Sequence, residues 1–322
     1  MVNKLLQQPE IRYFGYYSVV LPEEFTPEPE MFMVVQGANM AKIDSKQQYY
    51  PPFEQFLRRY KNELDNTLPV HSEDVPYLKQ IYTLPSGMKG EIFERMEHQG
   101  LPDVSRMLEA YRWDDGVTFK IMMRARDGRS SKYDQNREVF KGSFNYDIPE
   151  KKLMLLNILS GLHSRKDNQR PQRNNMAIKY GQVNESLLGE YEMTINYINR
   201  YGIKINFSTD NSSYTDVPLL KQDPRVVEGA YGTTLYKGSR KVNGLDAVEW
   251  LVRENQVSEG VPNTNYAFTL RVNEYKSGGM SPLEINMIYT SQEKNSDKLL
   301  SEAELVAVWQ NITNTIEYHK YW

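Results

Sequence analysis

Cysteine is absent from the 322 residues of this chain. Its absence excludes disulfide scaffolds, thiol nucleophiles, thiolate metal sites and iron–sulfur clusters. Long apolar runs are also missing, because no segment approaches the roughly 18 apolar residues that a membrane-spanning helix needs. A net charge of −3 creates no strong field that would attract nucleic acid or anionic lipid. The sequence therefore predicts a globular protein without a transmembrane segment and without a nucleic-acid partner.

The patterns that carry catalytic chemistry are missing too. The four histidines (His71, His98, His163 and His319) do not stand three or four residues from one another, as paired metal ligands on a helix would. The chain has no G-x-S-x-G nucleophile elbow and no glycine-rich phosphate-binding pattern. Its 42 acidic residues make neighbouring carboxylates common by chance. The sequence accordingly predicts a protein that is not an enzyme, with no catalytic residue, no metal site and no cofactor.

Tyrosine, by contrast, is abundant, with 23 residues. Tyrosine is enriched at binding surfaces because its ring offers a large contact area with a polar tip. It also favours β-strands, so a β-rich fold explains the same composition. The composition is compatible with both explanations.

Apolar periodicity predicts strands followed by a closing helix in each half of the chain. The polar and basic segment SRKDNQRPQRNN separates the two halves and is typical of an interdomain linker. We therefore predict an α+β fold with two domains, each a mainly antiparallel β-sheet packed with helices. The predicted N-terminal domain is 1–165, the C-terminal domain is 174–322, and the linker between them is 166–173.

The segment NGLDAVEWLVRENQ, residues 243–256, is expected to be a strand that packs on the last helix. Strand alternation puts Val248, Trp250 and Val252 on one face, and Glu249 and Arg253 on the other. Glu249 is either a catalytic carboxylate in an apolar pocket or a residue on the wet face of a half-buried strand. Since no histidine or second acid accompanies it, we expect Glu249 to be partly solvated near Arg253. The tryptophan face is expected to contact Leu305, Trp309 and Ile312 of the helix.

Several short segments together carry a family resemblance. The C-terminal half contains VNGLDAVEWLVRE, YAFTLRVNEY, SPLEINMIYT and LLSEAELVAVWQNITNTI in this order. The N-terminal half contributes RYFGYYSVVLPEEF, and NMAIKYGQV opens the second domain. In this order the segments resemble the two-domain immunity proteins that protect bacteria from phospholipase effectors of the type VI secretion system.

The resemblance implies a non-catalytic protein that binds a cognate lipase effector, an α/β-hydrolase, as a monomer in a 1:1 complex. It also implies that the two domains clamp the lid region of the lipase. The expected location is the periplasm, with the export signal removed. Two alternatives stay open: an envelope hydrolase with an unrecognised acid-based site, and a general envelope adaptor.

The residues that contact the lipase are expected on loops of both domains. A polar loop in the N-terminal domain carries Arg129, Tyr133 and Arg137, and a loop in the C-terminal domain carries Tyr214. Tyrosine and arginine are the residue types that dominate binding hot spots, so these four are the candidate partner-binding residues. The alternative is that these loops are solvated and bind no partner.

Overall fold

The computed structural model describes residues 5–36, 40–140, 142–212, 217–229, 231–258, 261–275, 280–292 and 299–319. The chain folds as two compact units. The first unit combines Met1–Met31, Asp167–Lys179 and Glu192–Trp322, and the second combines Phe32–Lys166 with Tyr180–Tyr191. In this division the first strands of the chain group with the last ones.

In chain order, the strands are β1 Pro9–Phe14, β2 Tyr17–Pro22, β3 Thr26–Gln36, β4 Ala41–Gln47, β5 Leu78–Thr83, β6 Lys89–Met96, β7 Ser105–Asp114, β8 Val117–Arg126, β9 Leu162–Ser164, β10 Asn175–Ile178, β11 Gly181–Asn184, β12 Glu190–Ile198, β13 Lys204–Asp210, β14 Gly232–Val242, β15 Leu245–Ser258, β16 Val261–Val272, β17 Leu283–Gln292 and β18 Glu317–Tyr318. The α-helices are α1 Tyr50–Asn66, α2 Asp134–Val139, α3 Ile148–Gly161, α4 Pro224–Glu228 and α5 Glu302–Thr313. Short 3₁₀ helices lie at Ser72–Asp74, Ser131–Tyr133, Glu185–Leu187 and Leu219–Lys221.

The second unit is built on an antiparallel sheet with the strand order β4-β8-β7-β6-β5. Helix α1 begins with prolines at its first positions, where a missing amide proton costs little. It buries Phe53 and Leu64 in a core shared with Phe93 and Tyr111 of the sheet. Helix α3 contacts β7 and β8, where Arg112 donates hydrogen bonds to the carbonyl oxygens at the end of the helix. The unit is therefore an antiparallel sheet packed with helices.

The first unit contains a sheet with the strand order β14-β15-β16-β17-β13-β12, again antiparallel. Helix α5 packs on one face of this sheet, where the rings of Trp309 and Phe268 lie 5.9 Å apart. Helix α5 begins with a capping box, in which Ser301 and Glu304 exchange hydrogen bonds between their side chains and backbone amides. A second sheet, β1-β2-β18, joins the beginning and the end of the chain. Both units fit the predicted two-domain α+β class, which is confirmed.

Strand β15 is buried on both faces, and the predicted assignment of its faces is wrong. Glu249, only 6% exposed, points toward α5, where it accepts a hydrogen bond of 3.0 Å from the indole of Trp309. Arg240 completes an ion pair with Glu249 at 3.2 Å. Trp250 lies on the opposite face in a cluster with Leu219. The alternation was correct, but it could not show that the Leu219 segment covers the tryptophan face.

Arg253 was expected beside Glu249, and this expectation is also wrong. Its guanidinium pairs instead with Glu302 in the first turn of α5, at 3.1 Å. Glu249 is therefore neither partly solvated nor paired with a second acid. Its partners are a cation and an indole N–H, and the bond to the indole links α5 to the sheet.

Candidate partner-binding surface

The loop after β8, residues 127–147, closes on itself at its base. The amide of Gly128 donates to the carbonyl of Asn145 at 3.0 Å, and the amide of Arg126 donates to Asp147 at 2.6 Å. A Cβ atom on Gly128 would lie 2.0 Å from the carbonyl oxygen of Phe144, so only glycine fits this approach. The sequence therefore builds a defined loop, which we call the 127–147 loop.

Tyr133 lies inside this loop, 7% exposed, and the expectation that it is exposed is wrong. The 3₁₀ turn at Ser131–Tyr133 points its ring inward against Phe144, 5.2 Å away. The hydroxyl donates to Asp103 at 2.6 Å and accepts from the amide of Val104 at 3.3 Å. Burial and the hydrogen bond to the carboxylate raise the pKa of Tyr133 to about 12. Tyr133 is therefore a neutral anchor of the loop.

An ion-pair network holds the same loop from the outside. The ammonium of Lys132 reaches Asp74 at 2.5 Å and Asp103 at 2.8 Å. Lys79 also pairs with Asp103, at 3.2 Å. Burial alone would raise the pKa of Asp103, but the hydrogen bonds from Lys132 and Tyr133 hold it well below its ordinary value. Three segments that are distant in sequence are thus tied together at the base of the loop.

The two predicted arginines lie in the loop but serve different purposes. Arg129 forms a forked ion pair with Asp127 at 2.8 Å and stacks 3.7 Å from the ring centroid of Tyr146. Its side chain is 62% exposed, so its outer edge is available to a partner. Arg137 donates to the carbonyl oxygens of Gly128 and Ser130 and therefore mainly braces the loop. The structure brings Arg129, Tyr133 and Arg137 together, while Tyr214 lies outside the described residues.

Sequence reasoning missed the exposed apolar residues of this loop. Val139 is 71% exposed, Phe140 is 58% exposed and Tyr146 is 42% exposed. Their signal in the sequence was an apolar pair inside the polar stretch NREVFKGSFNYD. Large apolar side chains on a braced, polar-rimmed loop are typical of the centre of a protein–protein interface. We call the exposed Val139 and Phe140 the loop-tip surface, and the exposed Arg129 and Tyr146 lie nearer the base of the same loop.

The described residues offer little for catalysis. Within them, no group of three or more histidine and acidic side chains is arranged to hold a metal ion. The buried Glu109 and Glu249 are both engaged by cations. In the part of the chain that the structure describes, no helix is both long and apolar enough to cross a membrane.

The protein has a two-domain α+β fold, and its loop-tip surface is suited to binding another protein. The chain belongs to the family of Tle cognate immunity protein 4. The N-terminal domain of that family matches residues 11–165, and the C-terminal domain matches residues 169–320. The resemblance seen in the sequence is therefore confirmed, and the chain is a type VI secretion immunity protein.

Solved structures share the fold over nearly the whole chain. The apo structure of the immunity protein TplEi of T6SS from Pseudomonas aeruginosa is 13% identical, covers 99% of both chains and has a TM-score of 0.66. A chain in the crystal structure of the Tle4-Tli4 complex is also 13% identical, covers 98% of both chains and has a TM-score of 0.67. Identity this low supports the shared fold alone. The comparison with curated proteins gave no match.

Proposed function

We propose that this protein binds a cognate type VI lipase effector and blocks its activity as a stoichiometric inhibitor. The observation that carries this proposal is the family membership of both domains, across residues 11–165 and 169–320. A structural neighbour was solved in a Tle4-Tli4 complex, which supports an effector as the partner. The protein acts in the periplasm, where an antibacterial lipase would reach membrane lipid.

The loop-tip surface is the proposed contact of the second unit. Phe140 and Val139 supply its apolar area, and Arg129 supplies a cation nearer the base of the loop. The braced base limits the entropy that the loop loses on binding, which favours affinity. The lid region of a lipase presents apolar surface, so it is the proposed target of these side chains. Contacts from both domains then clamp the lid.

The protein inhibits without chemistry of its own. Glu249 was the most plausible catalytic acid in the sequence, and both of its oxygens are engaged, by Arg240 and by Trp309. This arrangement favours the inhibitor over the alternative of an acid-based envelope hydrolase.

The test uses the full chain and the cognate type VI lipase effector. Inhibition is measured for the parent protein, for Phe140→Ser and for Leu153→Ser. Leu153 is 61% exposed on α3 of the same unit, so it is a matched control for losing an exposed apolar side chain. We expect Phe140→Ser to weaken inhibition by about tenfold or more, as for a hot-spot residue. Equal inhibition by the Phe140 variant and the parent would refute the role of the loop tip.

A further inference from the structure

The first unit carries an ordered polar surface on the face of its sheet opposite α5. Four neighbouring strands (β12, β13, β17 and β16) align their side chains there in two cross-strand rows. The first row is Asn196, Asn206, Asn286 and Thr269, and the second row is Thr194, Ser208, Glu284 and Arg271. We call these eight residues the polar sheet face.

Hydrogen bonds fix the side chains of this face in place. Asn206 donates to Asn196 at 2.7 Å, and Ser208 donates to Asn206 at 2.9 Å. Asn286 accepts from Thr269 at 2.8 Å and donates to Glu284, also at 2.8 Å. Since the amides and hydroxyls are already oriented by their neighbours, a partner would lose little rotamer entropy by binding to them.

Strand β15, which borders this face, is covered by another part of the chain on the same side of the sheet. There, Trp250 and Val252 of β15 are apolar and are covered by Leu219. Trp250 is the direct cross-strand neighbour of Thr269, so the covered part and the polar part meet along one line. The polar part contains two depressions of about 290 Å³ and about 400 Å³. The apolar side chains of β15 are therefore covered, whereas concave space remains over the polar strands.

The smaller depression is acidic. It is lined by the acids Glu192, Asp210, Glu274 and Glu284 and by one base, Arg271, which already pairs with Glu284 at 2.7 Å. The larger depression is balanced, because its acid Glu28 pairs with its base Lys204 at 3.2 Å. Four acids against one base leave the smaller depression with an excess negative charge that favours a basic occupant.

We propose that the polar sheet face is a second contact surface, which binds a basic, hydrogen-bonding segment of the effector. This inference rests on the proposed function. An apolar segment is disfavoured because it would remove water from these amides, hydroxyls and carboxylates without offering them new hydrogen bonds. A second copy of this chain is disfavoured because a symmetric contact would place two acidic faces against each other.

The test measures binding of the full chain to the cognate type VI lipase effector, at low and at high salt. Glu192→Lys reverses one charge in the smaller depression, and Ala267→Arg places a cation in the larger one, where Ala267 is exposed. Asp246→Lys is the control, because its side chain is 82% exposed in the β14–β15 hairpin, away from both depressions. Thermal melts show whether each variant keeps the fold.

We expect both test variants to weaken binding about tenfold at low salt, mainly through slower association, and to lose this difference at high salt. The Asp246 control should bind like the parent. The inference would be overturned if Glu192→Lys and Ala267→Arg fold and bind the lipase as tightly as the parent while Phe140→Ser binds more weakly. The proposed function would then still hold. Failure of the parent itself to bind would refute the proposed function. A change in self-association by light scattering, with lipase binding unchanged, would assign the face to a second copy and also overturn the inference.

Discussion

Replacement of Glu109 by glutamine tests whether a buried charge holds α1 on the sheet of the second unit. Glu109 is 1% exposed. Its carboxylate accepts hydrogen bonds from Tyr60 of α1 at 2.6 Å and from Tyr111 at 2.7 Å. Arg95 and Lys120 form ion pairs with it at 2.8 Å and 2.7 Å. Glu109→Gln keeps the shape of the side chain and removes the charge on which these four partners converge.

The magnitude follows from the pKa of this carboxyl. Burial would raise the pKa of Glu109, but the charges of Lys120 and Arg95, with the hydrogen bonds from Lys120 and Tyr60, lower it from 4.5 to about 2. A decrease of this size corresponds to about 3 kcal/mol of stabilisation of the charged form. Breaking a buried ion pair by removing one partner typically costs about 3–5 kcal/mol. We therefore expect Glu109→Gln to lower the free energy of unfolding of the second unit by about 3 kcal/mol at pH 7.

The pH dependence has a definite sign. Because the folded pKa lies below the unfolded one, the stabilisation is complete above about pH 4.5 and is lost as the pH falls toward 2. The difference between the parent and Glu109→Gln should therefore narrow on acidification. The assay is urea unfolding followed by hydrogen exchange of peptides from α1 and β7, which separates the second unit from the first. Glu63→Gln, an exposed change on α1, is the control.

A loss below about 1 kcal/mol would show that the ion pairs of Glu109 contribute no more than exposed ion pairs usually do. A loss that stays constant down to pH 3 would show that the effect comes from packing and not from the charge.

The remaining predictions concern other parts of the fold. Trp309→Phe removes the indole donor to Glu249 and should destabilise the first unit by about 1–3 kcal/mol in urea unfolding; a neutral result would contradict the role of that hydrogen bond. Gly90→Ala should lower the melting temperature by several degrees, because the backbone φ is +144° and a Cβ there would lie 1.9 Å from a backbone carbonyl oxygen. Gly142→Ala is the control and should melt like the parent, since its Cβ would have no atom within 4 Å. Lys132→Met should speed proteolysis within the 127–147 loop and weaken lipase binding, since it unties the base of the loop; unchanged proteolysis would count against the bracing network.

The sequence was sufficient for the features that local patterns determine. The capping box of α5 depends on two residues three positions apart, and the α+β class follows from apolar periodicity. The faces of β15 could not be predicted, because alternation separates Glu249 from Trp250 without showing what covers each one. The cover of Trp250 comes from Leu219, 31 residues earlier in the chain, and is a tertiary contact.

The candidate site was predictable in part for the same reason. Composition located the polar loop, and the family resemblance named the class of partner. The inward position of Tyr133 depends on a carboxylate 30 residues away, at Asp103, which no local pattern reveals. Phe140 was visible as an apolar residue in a polar stretch, but only its exposure distinguishes a contact residue from a small local core. The role of Tyr214 and the domain boundary at 166–173 stay predictions.

The most direct test of the central proposal is a titration of the cognate type VI lipase effector with this protein in purified form. Lipase activity is measured at fixed enzyme concentration while the molar ratio of the protein rises from zero to two. A stoichiometric inhibitor predicts a linear fall to near zero at a ratio of one, with a 1:1 complex in light scattering. Activity that stays constant across the titration would contradict the account, and so would loss of activity at far below equimolar protein, which would indicate an enzyme acting on the lipase.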